Sequence, residues 1–146
     1  MSAQRPADAG DPLDLRTARK TLDAQPFSVL LGAELTAFGD GRATIELDVR
    51  DELRQQNGFV HGGVLAYLAD NTVTFAAGTV LGPAVLTAGF TVTYVRPAAG
   101  SHLRAQARVV TATRSQAVCA CEILAVAEDG TERICATAQG TVRRAP

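Results

Sequence analysis

QQNGFVHGGVLAYLADNTVTFAAGTV, residues 55–80, decides how the rest of the chain must be arranged. It runs from an amide-rich loop through a His-Gly-Gly turn into a helix predicted over 62–80, which Gly82-Pro83 then stops. Asp70 is the one acid inside it, and no other side chain between Arg54 and Arg96 carries a formal charge at pH 7. Only His61 could readily gain one. A helix that is apolar on nearly every side belongs inside a fold. A carboxylate carried in with it is costly unless it is partnered or put to use.

The flanking sequence supplies a wrapping for this helix. Upstream, 33–38 and 42–49 read as strands joined by the tight-turn signal Gly39-Asp40-Gly41. The second alternates, with Ala43, Ile45, Leu47 and Val49 on one face and Thr44, Glu46 and Asp48 on the other. Downstream, 85–95, 101–113, 116–127 and 132–142 are strand-like and rich in Thr, Val and Ala. Nearer the start, Asp11-Pro12 looks like an N-cap with Pro at the first helical position. A short amphipathic helix from there to Ala24 would use Leu13, Leu15, Ala18 and Leu22. The apolar run 26–32 is expected to dip beneath the sheet. Residues 1–25 are accordingly read as a mobile leader and short helix, and 26–146 as one domain.

The order helix, β, β, long helix, β, β, β, β has no repeat and no βαβ alternation. That pattern is α+β, a mostly antiparallel sheet with its helix on one side. One sheet face cannot cover a helix that is apolar all round. A second copy of the same helix, in a symmetric dimer, is the simplest cover for the remainder.

Composition narrows the function. With 14 basic and 15 acidic residues the formal net charge is −1, which gives no reason to expect nucleic acid or an anionic membrane surface as partner. The N-terminus lacks the apolar core of a signal peptide. Gly, Thr, Asn and Asp interrupt the central helix enough to argue against a membrane span, so a cytoplasmic location is expected. The 3 cysteines include no C-x-x-C pair, and no ligand cluster suggests a metal or other cofactor. They read as small buried hydrophobes. Cys119 and Cys121 share a strand face, and a two-residue Asp129-Gly130 turn would set Cys135 opposite Leu124, pointing to the other face.

At 100° per residue, Gly63, Tyr67, Asp70, Thr74 and Ala77 share one helix face, while Leu65, Leu68, Ala69, Thr72 and Ala76 form the better core stripe. Tyr67 and Thr74 are then local partners for Asp70. Gly62-Gly63 leaves backbone N–H groups uncovered at the positive end of the helix dipole, a place able to hold an oxyanion. His61, Gln55 and Asn57 lie close by. An acid, exposed N–H groups and amide side chains are the parts needed for acyl transfer to water. Gly62 and Asp70 are, however, about 12 Å apart along one helix. Two antiparallel helices across a dimer axis would bring the Gly62 end of one to the Asp70 of the other, giving two composite sites.

These residues resemble the hotdog-fold thioesterases, in particular the PaaI-like branch, the phenylacetate-pathway thioesterases. The resemblance spans about residues 26–143 and rests on LGAELTAFGDGRATIELDVRDEL, GFVHGGVLAYLADN, TAGFTVTYVRPAAG and ATAQGTV. It implies hydrolysis of an acyl-CoA thioester to free acid and CoA by a homodimer, often paired into a homotetramer. Asp70 matches the catalytic acid, as general base or nucleophile, and Gly62 matches the residue whose N–H polarises the thioester carbonyl. His61 sits beside it as a turn cap or a chemical participant. Gln55 stands where relatives carry Asn or Gln, a role that Asn57 could share. Thr74 and Thr87 match hydroxyls that orient water or acid, and Gly63 joins the substrate-binding set. Two other readings stay open. One is a non-catalytic acyl-CoA binding protein. The other is a hotdog dehydratase of hydroxyacyl thioesters, whose Pro-rich His signature the sequence lacks.

Overall fold

A computed structural model describes residues 13–146. The leader and the Asp11-Pro12 cap lie outside the described residues. The first described helix, α1 (Leu15–Asp23), is capped by Asp14, whose carboxylate accepts from the Thr17 N–H at 2.8 Å. Ala18 and Leu22 are its buried side chains.

β1 (Glu34–Gly39) and β2 (Arg42–Asp48) form a hairpin closed by Asp40-Gly41, with φ of 52° and 76°. Positive φ at both central residues is the turn whose twist matches the flanking strands, and Asp-Gly is among the pairs that adopt it at low cost. β2 buries Ala43, Ile45 and Leu47 as its alternation requires. After α3 (Gly62–Leu81) come β3 (Val85–Tyr94), β4 (His102–Ala112), β5 (Gln116–Val126) and β6 (Glu132–Arg144). All six strands make one sheet in the order β1-β2-β4-β5-β6-β3, every pair antiparallel. β3 thus crosses to the far edge, where one side of its backbone has no partner strand among the described residues.

The sheet curls around α3, which touches all six strands. Small inward residues permit this close approach. Ala105, Ala117, Cys119, Ala136 and Val142 face Leu65, Leu68, Ala69, Val73 and Ala76, and all are at most 3% exposed. Gly140 is needed at the tightest point, because a Cβ there would meet Val73 Cγ2 at 3.0 Å. By length and mean hydropathy (20 residues, 1.3) α3 reaches what a bilayer span needs, contrary to the sequence reading. Its Thr and Asn residues lower the hydropathy too little. The sheet covers most of it, with 61% of that stretch buried.

Two local expectations change. The run after Gln25 does not pass beneath the sheet. Pro26 at the first helical position and Gly32 in the left-handed conformation (φ 74°) bracket a short helix, α2 (Pro26–Leu31). It buries only Ser28 and Leu31, leaving Phe27, Val29 and Leu30 57%, 61% and 64% exposed. Cys135 does not face Leu124. A bulge pairs Leu124 with Ile134 and Ile123 with Ala136, and the intervening Cys135 turns into the core. All three cysteines are free and buried, and burial pushes the Cys119 thiol up to about 11 and Cys121 up to about 12. Ala77, on the Asp70 face of the helix, is buried.

The outer face of the sheet carries an ion network with no local signature in the sequence. His102 Nδ1 and Nε2 meet Asp48 and Glu46 at 2.8 and 2.9 Å. Arg104 joins Glu46 at 3.1 Å and also contacts Glu132. Partial burial disfavours the charged forms, but the hydrogen bonds outweigh it, raising the His102 pKa and lowering that of Glu46.

Candidate active site

Asp70 lies midway along α3, on the one face that the sheet leaves partly open. Its carboxylate is fixed from outside its own helix. Thr87, near the start of β3, donates from Oγ1 to Asp70 Oδ1 at 2.6 Å. Thr74 Oγ1 lies 2.6 Å from Thr87 Oγ1 and 2.8 Å from the Asp70 carbonyl oxygen, so its single proton serves one of two acceptors. A register shift in β3 between Thr87 and Gly89 falls just after this contact. Asp70 Oδ2 makes no hydrogen bond among the described residues and is not sealed away. One carboxylate oxygen is therefore held and the other is open to a cleft of about 320 Å³ bordered by Phe27, Tyr67, Leu86 and Thr87.

The expected Tyr67–Asp70 partnership is absent. Tyr67 Oη instead donates to Ser28 Oγ at 2.6 Å and accepts from Asn71 Nδ2 at 3.0 Å. The Phe27 ring stands edge-on to that of Tyr67, with centroids 5.4 Å apart. Ser28 Oγ and Asn71 Nδ2 both bond Gln25 Oε1, at 2.6 and 3.0 Å. This polar group was not anticipated. The Tyr67–Asn71 spacing of four on a helix is its only local sign, and Gln25 and Ser28 come from 39 or more residues upstream.

The helix tip is built by local contacts. His61 is the N-cap of α3, and its Nδ1 accepts from the Gly63 N–H at 2.8 Å. That acceptor role places the ring proton on Nε2 and leaves the Gly63 N–H occupied. The Gly62 N–H makes no hydrogen bond among the described residues, so it is the free donor of the turn. The Gly62 carbonyl receives Tyr94 Oη at 3.0 Å. In the preceding loop Gln55 Oε1 accepts from the Asn57 N–H, which leaves the Gln55 amide NH₂ free, and Asn57 is exposed.

The candidate residues thus fall into two groups within one protomer. Asp70, Thr74 and Thr87 are brought together. Gly62, Gly63, His61, Gln55 and Asn57 gather at the tip, eight residues or about 12 Å of helix rise away. Among the described residues, no group of three or more His, Cys, Asp or Glu side chains is placed to hold a metal ion.

A long apolar helix cradled in one antiparallel sheet, with a mid-helix acid and a Gly-Gly tip, defines the hotdog class. The sequence profile of the thioesterase superfamily matches residues 57–132, more than half of the chain. A thioesterase family protein from Silicibacter pomeroyi superposes with a TM-score of 0.83 at 30% identity, covering 88% of this chain and 95% of that one. An Asn-to-Asp variant of the phenylacetic acid degradation protein PaaI from Thermus thermophilus gives 0.72 at 30% identity, covering 83% and 100%. The 1,4-dihydroxy-2-naphthoyl-CoA hydrolase of Listeria monocytogenes is 30% identical over 84 residues, 57% of this chain. The matched segment spans 63% of that relative, less than two thirds of its length. The chain belongs to the thioesterase superfamily, in its hotdog-fold, PaaI-like branch.

Proposed function

We propose that the protein hydrolyses an acyl-CoA thioester to free acid and CoA, at sites composed of Asp70 from one protomer and the Gly62 tip of a partner. The observation that carries this reading is the carboxylate of Asp70, held by Thr87 at 2.6 Å through one oxygen and open through the other. A held carboxylate is oriented without being consumed, as a base aimed at water or a nucleophile aimed at a carbonyl must be. The free Gly62 N–H, at the positive end of a 20-residue helix, suits the negative charge that develops on the thioester oxygen. Attack expels the CoA thiolate, which takes up a proton to leave as the thiol.

Neither group can serve the other within one chain, given their separation. The dimer is supported by β3, an edge strand of 10 residues on which Leu86, Phe90 and Tyr94 are exposed. Long apolar edges of that kind are covered in stable proteins. A second copy meeting this edge would set its helix tip near the cleft of Asp70.

The test is an acyl-CoA panel read by thiol release, on the wild type and on Asp70→Asn. The variant is expected to lose turnover on every ester while sedimenting as the wild type does. Equal turnover by Asp70→Asn would remove the mechanism, and tight ester binding without turnover by both proteins would favour the non-catalytic reading.

A further inference from the structure

Thioester hydrolysis needs one more proton than the residues named so far supply. When the C–S bond breaks, its electron pair goes to sulfur, and the thiolate must be protonated to leave as a thiol. A carboxylate that attacks or accepts, as Asp70 is proposed to do, starts with no proton to give. The donor is therefore to be sought at the helix tip. There the Gly62 N–H would hold the thioester oxygen, and sulfur is bonded to the same carbon.

Most side chains gathered at the tip fail as acids. Gln55 and Asn57 carry amides, which donate hydrogen bonds and keep their protons. His61 accepts from the Gly63 N–H through Nδ1 at 2.8 Å, so its ring is neutral and holds only the Nε2 proton. Protonating Nδ1 would set N–H against N–H and break the cap.

Tyr94 remains. It lies at the end of β3 and reaches back to the tip, where its hydroxyl donates to the Gly62 carbonyl at 3.0 Å. A Cβ on Gly62 would meet both Tyr94 Cζ and Oη at 3.3 Å, so the hydroxyl lies alongside the residue whose N–H is free. The contrast with Tyr67 is sharp. The Tyr67 hydroxyl is tied to both Ser28 and Asn71, whereas Tyr94 Oη makes its single bond to Gly62 and the side chain is 51% exposed. Rotation about Cζ–Oη is enough to turn its proton away from the helix.

We infer that Tyr94 is the acid of the reaction, giving its phenolic proton to the departing sulfur in the site that its own tip forms with a partner's Asp70. This rests on the hydrolase reading above. As the C–S electron pair passes to sulfur, the O–H proton crosses to it, and the phenolate left behind recovers a proton from solvent. Phenols and thiols are acids of neighbouring strength, so the transfer is close to balanced. The positive end of α3 favours the transient phenolate beside it.

The experiment varies the leaving group. The acyl group that the CoA panel shows to be turned over fastest is joined in turn to CoA, to N-acetylcysteamine and to a strongly acidic aryl thiol. The constant kcat/KM, which covers every step through departure of the thiol, is measured for wild type and Tyr94→Phe. The variant keeps the ring against Gly62 and loses only a half-exposed hydroxyl, and thermal melts and sedimentation check its fold and assembly. Relative to wild type, Tyr94→Phe is expected to lose about 10²-fold on the two alkyl thioesters and no more than about threefold on the aryl one, whose thiolate leaves unaided. Equal slowing on all three would make the hydroxyl a brace for the tip and overturn the acid. Full activity of the variant on CoA esters would overturn it too, and either result leaves the hydrolase reading standing. A wild type that cleaves no thioester overturns both.

Discussion

Asp70 and Gly62 share a helix, yet the chain fixes them by opposite means. Asp70 is held by a residue 17 positions away, delivered by a strand that must first cross to the sheet edge. The tip is held first by contacts two residues long, from His61 to Gly63 and from Gln55 to Asn57, and is then braced by Tyr94 on the Gly62 carbonyl. One group depends wholly on the fold, the other chiefly on a turn. The difference implies that damage to packing disarms the acid first, while the tip keeps its shape until the helix itself melts. On the proposed reading neither half forms a site alone, since the rigid helix between them sets their spacing.

Substitutions can separate the two halves. Asp70→Asn should cost the most, about 10³-fold or more in kcat, because it removes the attacking or proton-accepting oxygen without changing shape. Gly62→Pro should follow, at about 10²-fold or more in kcat. Proline is well tolerated at the first helical position, and His61 already has the extended backbone (ψ 134°) that a following proline demands. The change therefore deletes one N–H with little harm to the helix. Gly62→Ala adds a Cβ that meets the Tyr94 ring at 3.3 Å but keeps the donor, and should stay within a few-fold of wild type. Thr87→Val is expected to lower kcat about tenfold by freeing the carboxylate, with a non-additive double variant alongside Thr74→Val. Steady-state thiol release measures all four, and a Thr87→Val protein at full activity would show that the strand does not orient the acid.

The smallest effect lies outside both halves, on the outer face of the sheet. His102 has a raised pKa between Glu46 and Asp48, so the folded state holds its proton more tightly than the unfolded chain. That contribution is complete below the ordinary histidine value of 6.5 and fades as pH climbs through the raised one. Glu46, with a lowered pKa, behaves oppositely and loses its contribution only toward acid pH. Urea unfolding at pH 6 and pH 9 should show a difference below about 1 kcal/mol that His102→Gln abolishes, with no change in turnover at fixed pH.

The same contrast explains what the sequence revealed. The sheet and α3 were legible because alternation in 42–49 and the largely apolar character of 62–81 are local patterns that the core enforces. The tip was legible for the same reason, with capping one of the two roles open to His61. Asp70 stood out as an isolated charge and Thr74 as its neighbour one turn on, whereas Thr87 was reached through family resemblance, since no local spacing links residue 87 to residue 70. The Tyr67 hydroxyl was misplaced because a helix wheel shows neighbours on one helix but not a second helix arriving alongside. α2 delivers Ser28 there, from a run whose apolar composition suggested burial. Likewise the Cys135 bulge and the His102 network depend on register and on strands that meet only after folding.

The composite site itself can be tested by pairing the two damaged halves. Asp70→Asn and Gly62→Pro chains, differently tagged and co-expressed, yield mixed dimers that can be isolated by both tags. Such a dimer holds one site with both defects and one intact site, the latter made of Asp70 from the Gly62→Pro chain and Gly62 from its partner. Recovery of about half the wild-type turnover is the expected result, since a two-fold dimer has two equivalent sites. Mixed dimers no more active than the two parent variants would contradict it.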